Sequence, residues 1–235
     1  MRLGLEGRAL IVTGAASGIG AAIARMLADE GADCLLLTDR DGPGLQRVAV
    51  ALSAASTEAD LADPAAPKRI AQVACDRFGR IDGLVNAAGL TTRASFETAT
   101  PETWETLFAV NARAGFFLMQ EAIADMRRRR AAGAIVNILS MNAHCGIPEL
   151  AVYSGTKGAM LTLTKNAAHA HMTDRIRVNG INLGWVATEA EREMQAARHG
   201  AAWLDTQAAA QPLGRLVTAE ESARLAVFLL SDASV

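Results

Sequence analysis

The sequence predicts an α/β fold in which one doubly wound parallel sheet is covered by helices on both faces. Three observations carry this. Short apolar runs alternate with longer amphipathic ones along the chain, the pattern of strand and helix joined by right-handed crossovers. The strand runs are continuously apolar, as in "LIV" and "CLLL", which suits strands buried on both sides. The 235 residues, 51% of them apolar, contain no linker-like Pro/Ser/Gly stretch, no low-complexity tract and no repeat beyond the alternation, so residues 1-235 are expected to form a single domain.

The first strand lies in "RALIVTG" and the first helix in "IGAAIARMLADEG". Gly14, Gly18 and Gly20 occupy the turn between them. Glycine suits a turn with unusual backbone angles that a pyrophosphate must approach without meeting a Cβ, and the helix N-terminus beyond it offers free N–H groups. The second strand, "ADCLLLTD", ends on Asp39, where a carboxylate accepts hydrogen bonds from both ribose hydroxyls of an adenosine and repels a 2′-phosphate. NAD is therefore expected in preference to NADP. Ser17 adds no positive charge, whereas Arg40 works the other way, and Asp39 also suits a plain strand end or helix cap.

The alternation continues through the helix "GPGLQRVAVAL", a third strand before "ADLAD", the helix "PAAPKRIAQVACDRFG" and the strand "IDGLVNAAG". One long helical pattern, "PETWETLFAVNARAGFFLMQEAIADMRRRR", follows; its closing arginines, Arg127 to Arg130, read as solvated groups that complement the helix dipole. Small residues such as Ala112, Ala114 and Gly115 suggest close approach of a second helix across a subunit interface. Then come the strand "GAIVNILS", the helix "AVYSGTKGAMLTLTKNAAHAHMT" and the strand "RIRVNGIN". Residues 187-211 are Ala-rich and helical without strong caps, as a lid over substrate would be built. After the last helix, "TAEESARLAVFLLSD", such a sheet normally takes one more strand, so the last strand is expected to be missing from these residues.

A net charge of -2 with 20% charged residues indicates no strong electrostatic partner, and nucleic acid is not expected. No apolar run approaches the roughly 20 residues that span a bilayer, so no membrane association is expected. Cys34, Cys75 and Cys145 fit neither a disulfide framework nor a metal site, which suggests a reducing cytoplasm. The four histidines show no zinc spacing, and no metal is expected.

Chemistry enters with "AVYSGTKGAM". Tyr153 and Lys157 are four residues apart, on one helical face. A neighbouring ammonium favours the phenolate and brings the phenol toward acid/base use near neutral pH.

With "TGAASGIG", "NAAG" at Asn86 to Gly89, Ser140 thirteen residues before Tyr153, and "YSGTK", the chain resembles the short-chain dehydrogenase/reductase family from about Leu5 to Val235. The resemblance implies a Rossmann-like domain and hydride transfer between a nicotinamide cofactor and a hydroxyl or carbonyl carbon. A homotetramer or homodimer is also implied. It implies Tyr153 as general acid/base, Ser140 as its partner on the reacting oxygen, and Lys157 as the group that lowers the phenol's pKa and holds the nicotinamide ribose. Asn111 would help link the lysine to solvent through water. Ile19 belongs with the glycine turn, Asp60 and Leu61 border the adenine, and Asn86 and Gly89 steady the central sheet beside the cofactor. Val186 and Thr188 would contact the nicotinamide. The family's usual Asn-Pro-Gly after the sixth strand is Asn182, Leu183, Gly184 here, which keeps an N–H that proline lacks.

The pocket that the resemblance implies is walled by Asn142, His144, Cys145 and Glu149, by Thr91 and Arg93, and by Trp185, Glu189 and Trp203. Asn142, His144 and Trp185 stand out as substrate contacts, and so many hydrogen-bonding groups suggest a sugar or polyol. Two alternatives stand beside this reading: a non-catalytic NAD-binding protein, and a reductase of an apolar ketone or acyl substrate.

Overall fold

The computed structural model describes residues 3–234. The strands are β1 (Ala9–Thr13), β2 (Cys34–Asp39), β3 (Ala55–Glu58), β4 (Gly83–Asn86), β5 (Gly133–Ser140) and β6 (Ile176–Leu183). They form one parallel sheet in the order β3-β2-β1-β4-β5-β6. β1 and β4 are neighbours although two strands separate them in sequence, so the winding direction reverses between them. Ligands bind at such a reversal, beyond the carboxyl ends of the strands.

The helices α1 (Gly18–Asp29), α2 (Gly42–Leu52) and α9 (Ala219–Leu230) cover one face of the sheet, and α3 (Ala66–Phe78), α5 (Ala114–Arg129) and α6 (Ala151–Ala170) cover the other. Each face has its own apolar cluster: Leu10, Val12, Ile23, Leu27 and Val227 on the first, and Ile11, Leu36, Ile70, Leu84 and Met119 on the second. Leu10 and Ile11, adjacent in β1, point to opposite clusters, as the period of two requires. This explains why the strands read as unbroken apolar runs.

Several expectations change. The long helical pattern is not one α-helix: α4 (Pro101–Phe108) passes through a π turn (Ala109–Arg113) into α5. Ala112, Ala114 and Gly115 face inward, and a Cβ at Gly115 would meet Met160 of α6 at 3.0 Å, so these small residues serve packing within the chain. The outward residues of that turn are Phe116 and Phe117. The arginine run is only partly solvated. Arg129 is largely covered and pairs with Asp125 at 2.7 Å and with Asp82 at 3.2 Å, and Arg128 also pairs with Asp125. Asp125 is buried and accepts the Ile81 N–H, so it needs these cations to remain ionised.

The segment from 187 to 211 is better capped than its composition suggests. α7 (Glu189–His199) begins at Thr188, whose hydroxyl accepts the Glu191 N–H at 3.2 Å, and carries Glu189 and Glu191 in its first turn. α8 (Trp203–Ala209) follows, with Leu204 buried. β6 stands at the edge of the sheet, and among the described residues no strand follows α9. Leu183 continues the β5–β6 register opposite Ser140, which a residue with an N–H permits.

Candidate active site

A cleft of about 260 Å³ opens where the winding reverses. Its floor is the glycine turn, with Ser17, Gly18, Ile19 and Gly20 lining it beside Gly14. Gly14 has a φ of 68° and lies against the backbone of Ala88, leaving no room for a side chain. A Cβ at Gly20 would run into the Gly14 carbonyl oxygen, so glycine there seats α1 on the end of β1. No side chain caps α1, and its first-turn N–H groups are available to an anion.

Asp39 lines the same cleft. Its two oxygens accept the Ala16 N–H and the Asp41 N–H, each at 3.0 Å, so the carboxylate also braces the glycine turn against β2. Each carboxylate oxygen retains acceptor capacity after one bond. Asp60 and Leu61 form the adjoining wall, where Asp60 accepts the Ala62 N–H at 2.8 Å. Gly89 and Leu90 form the wall after β4. Thr188 lies over the glycine turn, where a Cβ on Gly18 would come within 3.3 Å of its methyl group. Val186 is buried and bridged to Val217, with backbone hydrogen bonds on both sides.

Two positions that the sequence reading passed over hold this framework. The Thr13 hydroxyl accepts both the Ala87 and Ala88 N–H groups, at 3.0 and 3.1 Å. Asn137 accepts the Asn86 amide at 2.8 Å and donates to Thr164 at 2.9 Å. A threonine in "LIVTG" and an asparagine in "AIVNIL" were the available signals, since a buried polar residue in an apolar strand demands partners.

Tyr153 and Lys157 share one face of α6, and both are buried. The Lys157 Nζ lies 5.7 Å from the centre of the Tyr153 ring and donates to the Ile138 carbonyl at 2.8 Å. Ser140 ends β5, accepts the Asn142 N–H at 3.1 Å and stands near enough to the phenol for its hydroxyl to favour the phenolate. Asn111, in the π turn, uses its side chain on both backbone groups of Leu90, at 2.8 and 2.9 Å, and donates to Thr156 at 3.1 Å. Thr156 in turn donates to the Tyr153 carbonyl at 2.6 Å. A small cavity of about 10 Å³, the size of one water, lies among Asn86, Asn111 and Lys157, and the Asn86 Oδ1 there has no hydrogen-bond partner.

The electrostatics correct one expectation. Burial raises the Tyr153 pKa above its ordinary value, against the lowering effect of the Ser140 hydroxyl, and the Glu191 carboxylate raises it further. Burial also lowers Lys157 from 10.5 to about 8. The net shift of the phenol in this structure is thus upward rather than downward, with the Lys157 Nζ directed at a backbone carbonyl and both groups out of water.

Among the substrate candidates, Asn142 lies in a short turn (Met141–Ala143) directly after Ser140, and His144 beside it is exposed. Trp185 donates its indole N–H to Glu191 at 2.8 Å and meets Trp203 edge-on at 5.9 Å between ring centres. Glu191 itself gave no sequence signal beyond its place in a helical first turn. Among the described residues no group of three or more His, Cys, Asp or Glu is placed to hold a metal ion, and no helix is long and apolar enough to cross a membrane.

Comparisons agree with this arrangement. The family model described as enoyl-(acyl carrier protein) reductase matches residues 14–235. Gluconate 5-dehydrogenase of Gluconobacter oxydans is 35% identical over 98% of this chain and 90% of its own length. D-threitol dehydrogenase of Mycolicibacterium smegmatis is 34% identical over 98% of this chain and 88% of its own. The crystal structure of 3-ketoacyl-(acyl-carrier-protein) reductase from Brucella melitensis complexed with NADH superposes with a TM-score of 0.87, at 28% identity, covering 98% of this chain and 93% of that one. A glycine turn at the sheet reversal, a buried tyrosine–lysine pair with a strand-end serine, and this kinship over nearly the whole length make the chain a member of the short-chain dehydrogenase/reductase family, an oxidoreductase that moves a hydride between a nicotinamide cofactor and a carbon bearing a hydroxyl or carbonyl.

Proposed function

We propose that the protein oxidises a secondary hydroxyl of a sugar or polyol with NAD as hydride acceptor, through Tyr153, Ser140, Lys157 and Asn111. The observation that carries this is the Tyr153–Lys157 pair beside Ser140, with Lys157 lining a small cavity that shares Leu61, Ala88 and Val110 with the cleft that Asp39 lines. The cleft suits a dinucleotide. The uncapped α1 N-terminus beside Ser17, Gly18, Ile19 and Gly20 would receive the pyrophosphate, Asp39 the ribose hydroxyls, and Asp60 with Leu61 the adenine. Asn86, Gly89, Val186 and Thr188 would border the nicotinamide half. Tyr153 and Lys157 would hold its ribose.

When bound, the nicotinamide accepts or supplies the hydride. Tyr153, as phenolate, removes the hydroxyl proton of the substrate while Ser140 donates a hydrogen bond to the developing carbonyl oxygen. Lys157 stabilises the phenolate when protonated, and Asn111 keeps the loop at Leu90 and the Tyr153 turn in register. The hydrogen-bonding walls at Asn142, His144 and Trp185 support a hydroxylated substrate, as does the similarity to a gluconate and a threitol dehydrogenase. The neighbour that reduces a 3-ketoacyl group favours the second reading, reduction of an acyl or apolar ketone. Three free thiols suit the cytoplasm. The half-exposed Phe116 and Phe117 on α5 suit a homotetramer or homodimer.

The test follows nicotinamide absorbance with NAD and with NADP over polyols, sugars and apolar ketones, using wild type beside Tyr153→Phe. Turnover with NAD and a polyol is expected, falling about 10²- to 10⁴-fold in the variant with NAD binding kept. Full activity in Tyr153→Phe would overturn the mechanism. Turnover confined to NADP or to apolar ketones would overturn the cofactor or substrate choice, and NAD binding with silence throughout would favour a non-catalytic role.

A further inference from the structure

We propose that Glu191 is a specificity-determining residue that selects neutral hydroxylated substrates and rejects carboxylates. The inference deepens the polyol reading above and rests on it. Glu191 sits in the first turn of α7, anchored by its own N–H to the Thr188 hydroxyl. Its Oε1 accepts two hydrogen bonds, from the Trp185 indole and from the Gln195 amide, each at 2.8 Å. Gln195 is only 2% exposed, and its own carbonyl oxygen has no partner. A carboxylate gripped at one oxygen by two donors is held in a fixed orientation, and its Oε2 is left to accept from a substrate hydroxyl.

Nothing among the described residues neutralises this charge. The neighbouring Arg192 turns to Asp205, at 3.8 Å, and Arg93 on the loop after β4 rests against the Met194 sulfur at 3.6 Å. Glu191 is bonded to Trp185 and to Thr188, and Thr188 lies over Gly18 of the glycine turn, so the carboxylate stands on the segment that walls the substrate side of the cleft; its charge also raises the pKa of the Tyr153 phenol. A fixed, unpaired, half-buried carboxylate at that place accepts hydrogen bonds from hydroxyl groups and repels a second carboxylate through a medium of low dielectric. Among alcohols of equal size, the neutral member should therefore be the better substrate.

The experiment compares wild type with Glu191→Gln, a change that keeps the size of the side chain and an acceptor for Trp185. The probes are matched pairs: threitol beside threonate, and butan-2-ol beside 3-hydroxybutanoate. Wild type should prefer the neutral member of each pair in kcat/KM, and Glu191→Gln should lose at least about tenfold of that preference, equivalent to about 1.4 kcal/mol. Tyr153 is the only tyrosine in the sequence, so phenolate absorbance in the near ultraviolet reports its ionisation alone. Its midpoint should fall in Glu191→Gln, since a negative charge beside the phenol has been removed. An unchanged preference, an unchanged midpoint, or a wild type that prefers carboxylates would overturn the proposal. Silence on threitol with turnover of butan-2-ol would overturn the polyol reading alone, and the second pair would still decide on Glu191.

Discussion

Lys157 shows what the site costs the fold. Burial holds its pKa near 8, below the 10.5 of a solvated lysine, so at neutral pH the folded chain keeps a cation out of water at a cost of up to about 3 kcal/mol, eased by the bond to Ile138. The sign follows directly. Between about pH 8 and 10.5 the unfolded lysine holds its proton more tightly than the folded one, so this group's penalty shrinks as pH rises through that window. Lys157→Met should therefore be inactive yet at least as stable as wild type at pH 7. The gap in Tm between the two should narrow toward pH 10.5, as differential scanning calorimetry would show; a variant that is less stable at every pH would contradict the account. Tyr153, Lys157, Asp39 and the three glycines were legible in the sequence because each belongs to a short local pattern. Thr13, Asn137 and Glu191 were not. Their roles depend on partners brought together by the fold, such as Ala88 for Thr13 and Asn86 for Asn137, and no local spacing announces such pairs.

The π turn at Ala109–Arg113 joins two walls of the cleft. Asn111 grips Leu90 after β4, and Arg113 donates to the Ala62 carbonyl at 2.5 Å in the loop after β3. The inserted residue is what aims both side chains, because one extra residue in a helical turn rotates everything after it by about 100°. Arg113→Ala should free the Asp60–Ala62 loop and raise the KM for NAD about tenfold with little change in kcat, roughly the loss of one hydrogen bond to a charged donor. A fall in kcat at constant KM in steady-state kinetics would show that the turn serves the chemistry instead. The element alternation had located five of the six strands, because apolar runs and turn residues decide these locally; β3, the short polar run Ala55–Glu58, was placed only by its position before "ADLAD". The π turn was hidden within the alternation. Alanine and glycine on either side of Arg113 leave the apolar face too indistinct for a phase shift to appear in the pattern.

Over the whole molecule, the ends of the described chain meet beneath α9. The Arg8 guanidinium donates to the Leu230 carbonyl at 3.0 Å and pairs with Asp232. Arg177, from β6, donates to Leu229 at 2.7 Å and to Ser231 at 3.0 Å. These arginines satisfy carbonyls that the end of a helix otherwise leaves unpaired. Arg177→Ala should lower stability by about 1–3 kcal/mol, read as a drop in Tm of about 2–4 °C for each kcal/mol. Hydrogen exchange in α9 should rise first, and unaltered protection there would refute the role. A second closure lies at the opposite end of the molecule. Val186 and Val217 pair in a parallel bridge, with Ala187 bonded to Val217 and Val217 to Trp185, so the excursion between them leaves and re-enters the scaffold at one point. Because its ends are already joined, a longer or shorter excursion adds little chain entropy to folding. The strands and the glycine turn need not register such a change. A graft of residues 187 to 216 from a relative, with Thr188 retained, should therefore fold on this scaffold with the sheet and the glycine turn undisturbed, which thermal melting and NAD binding would check.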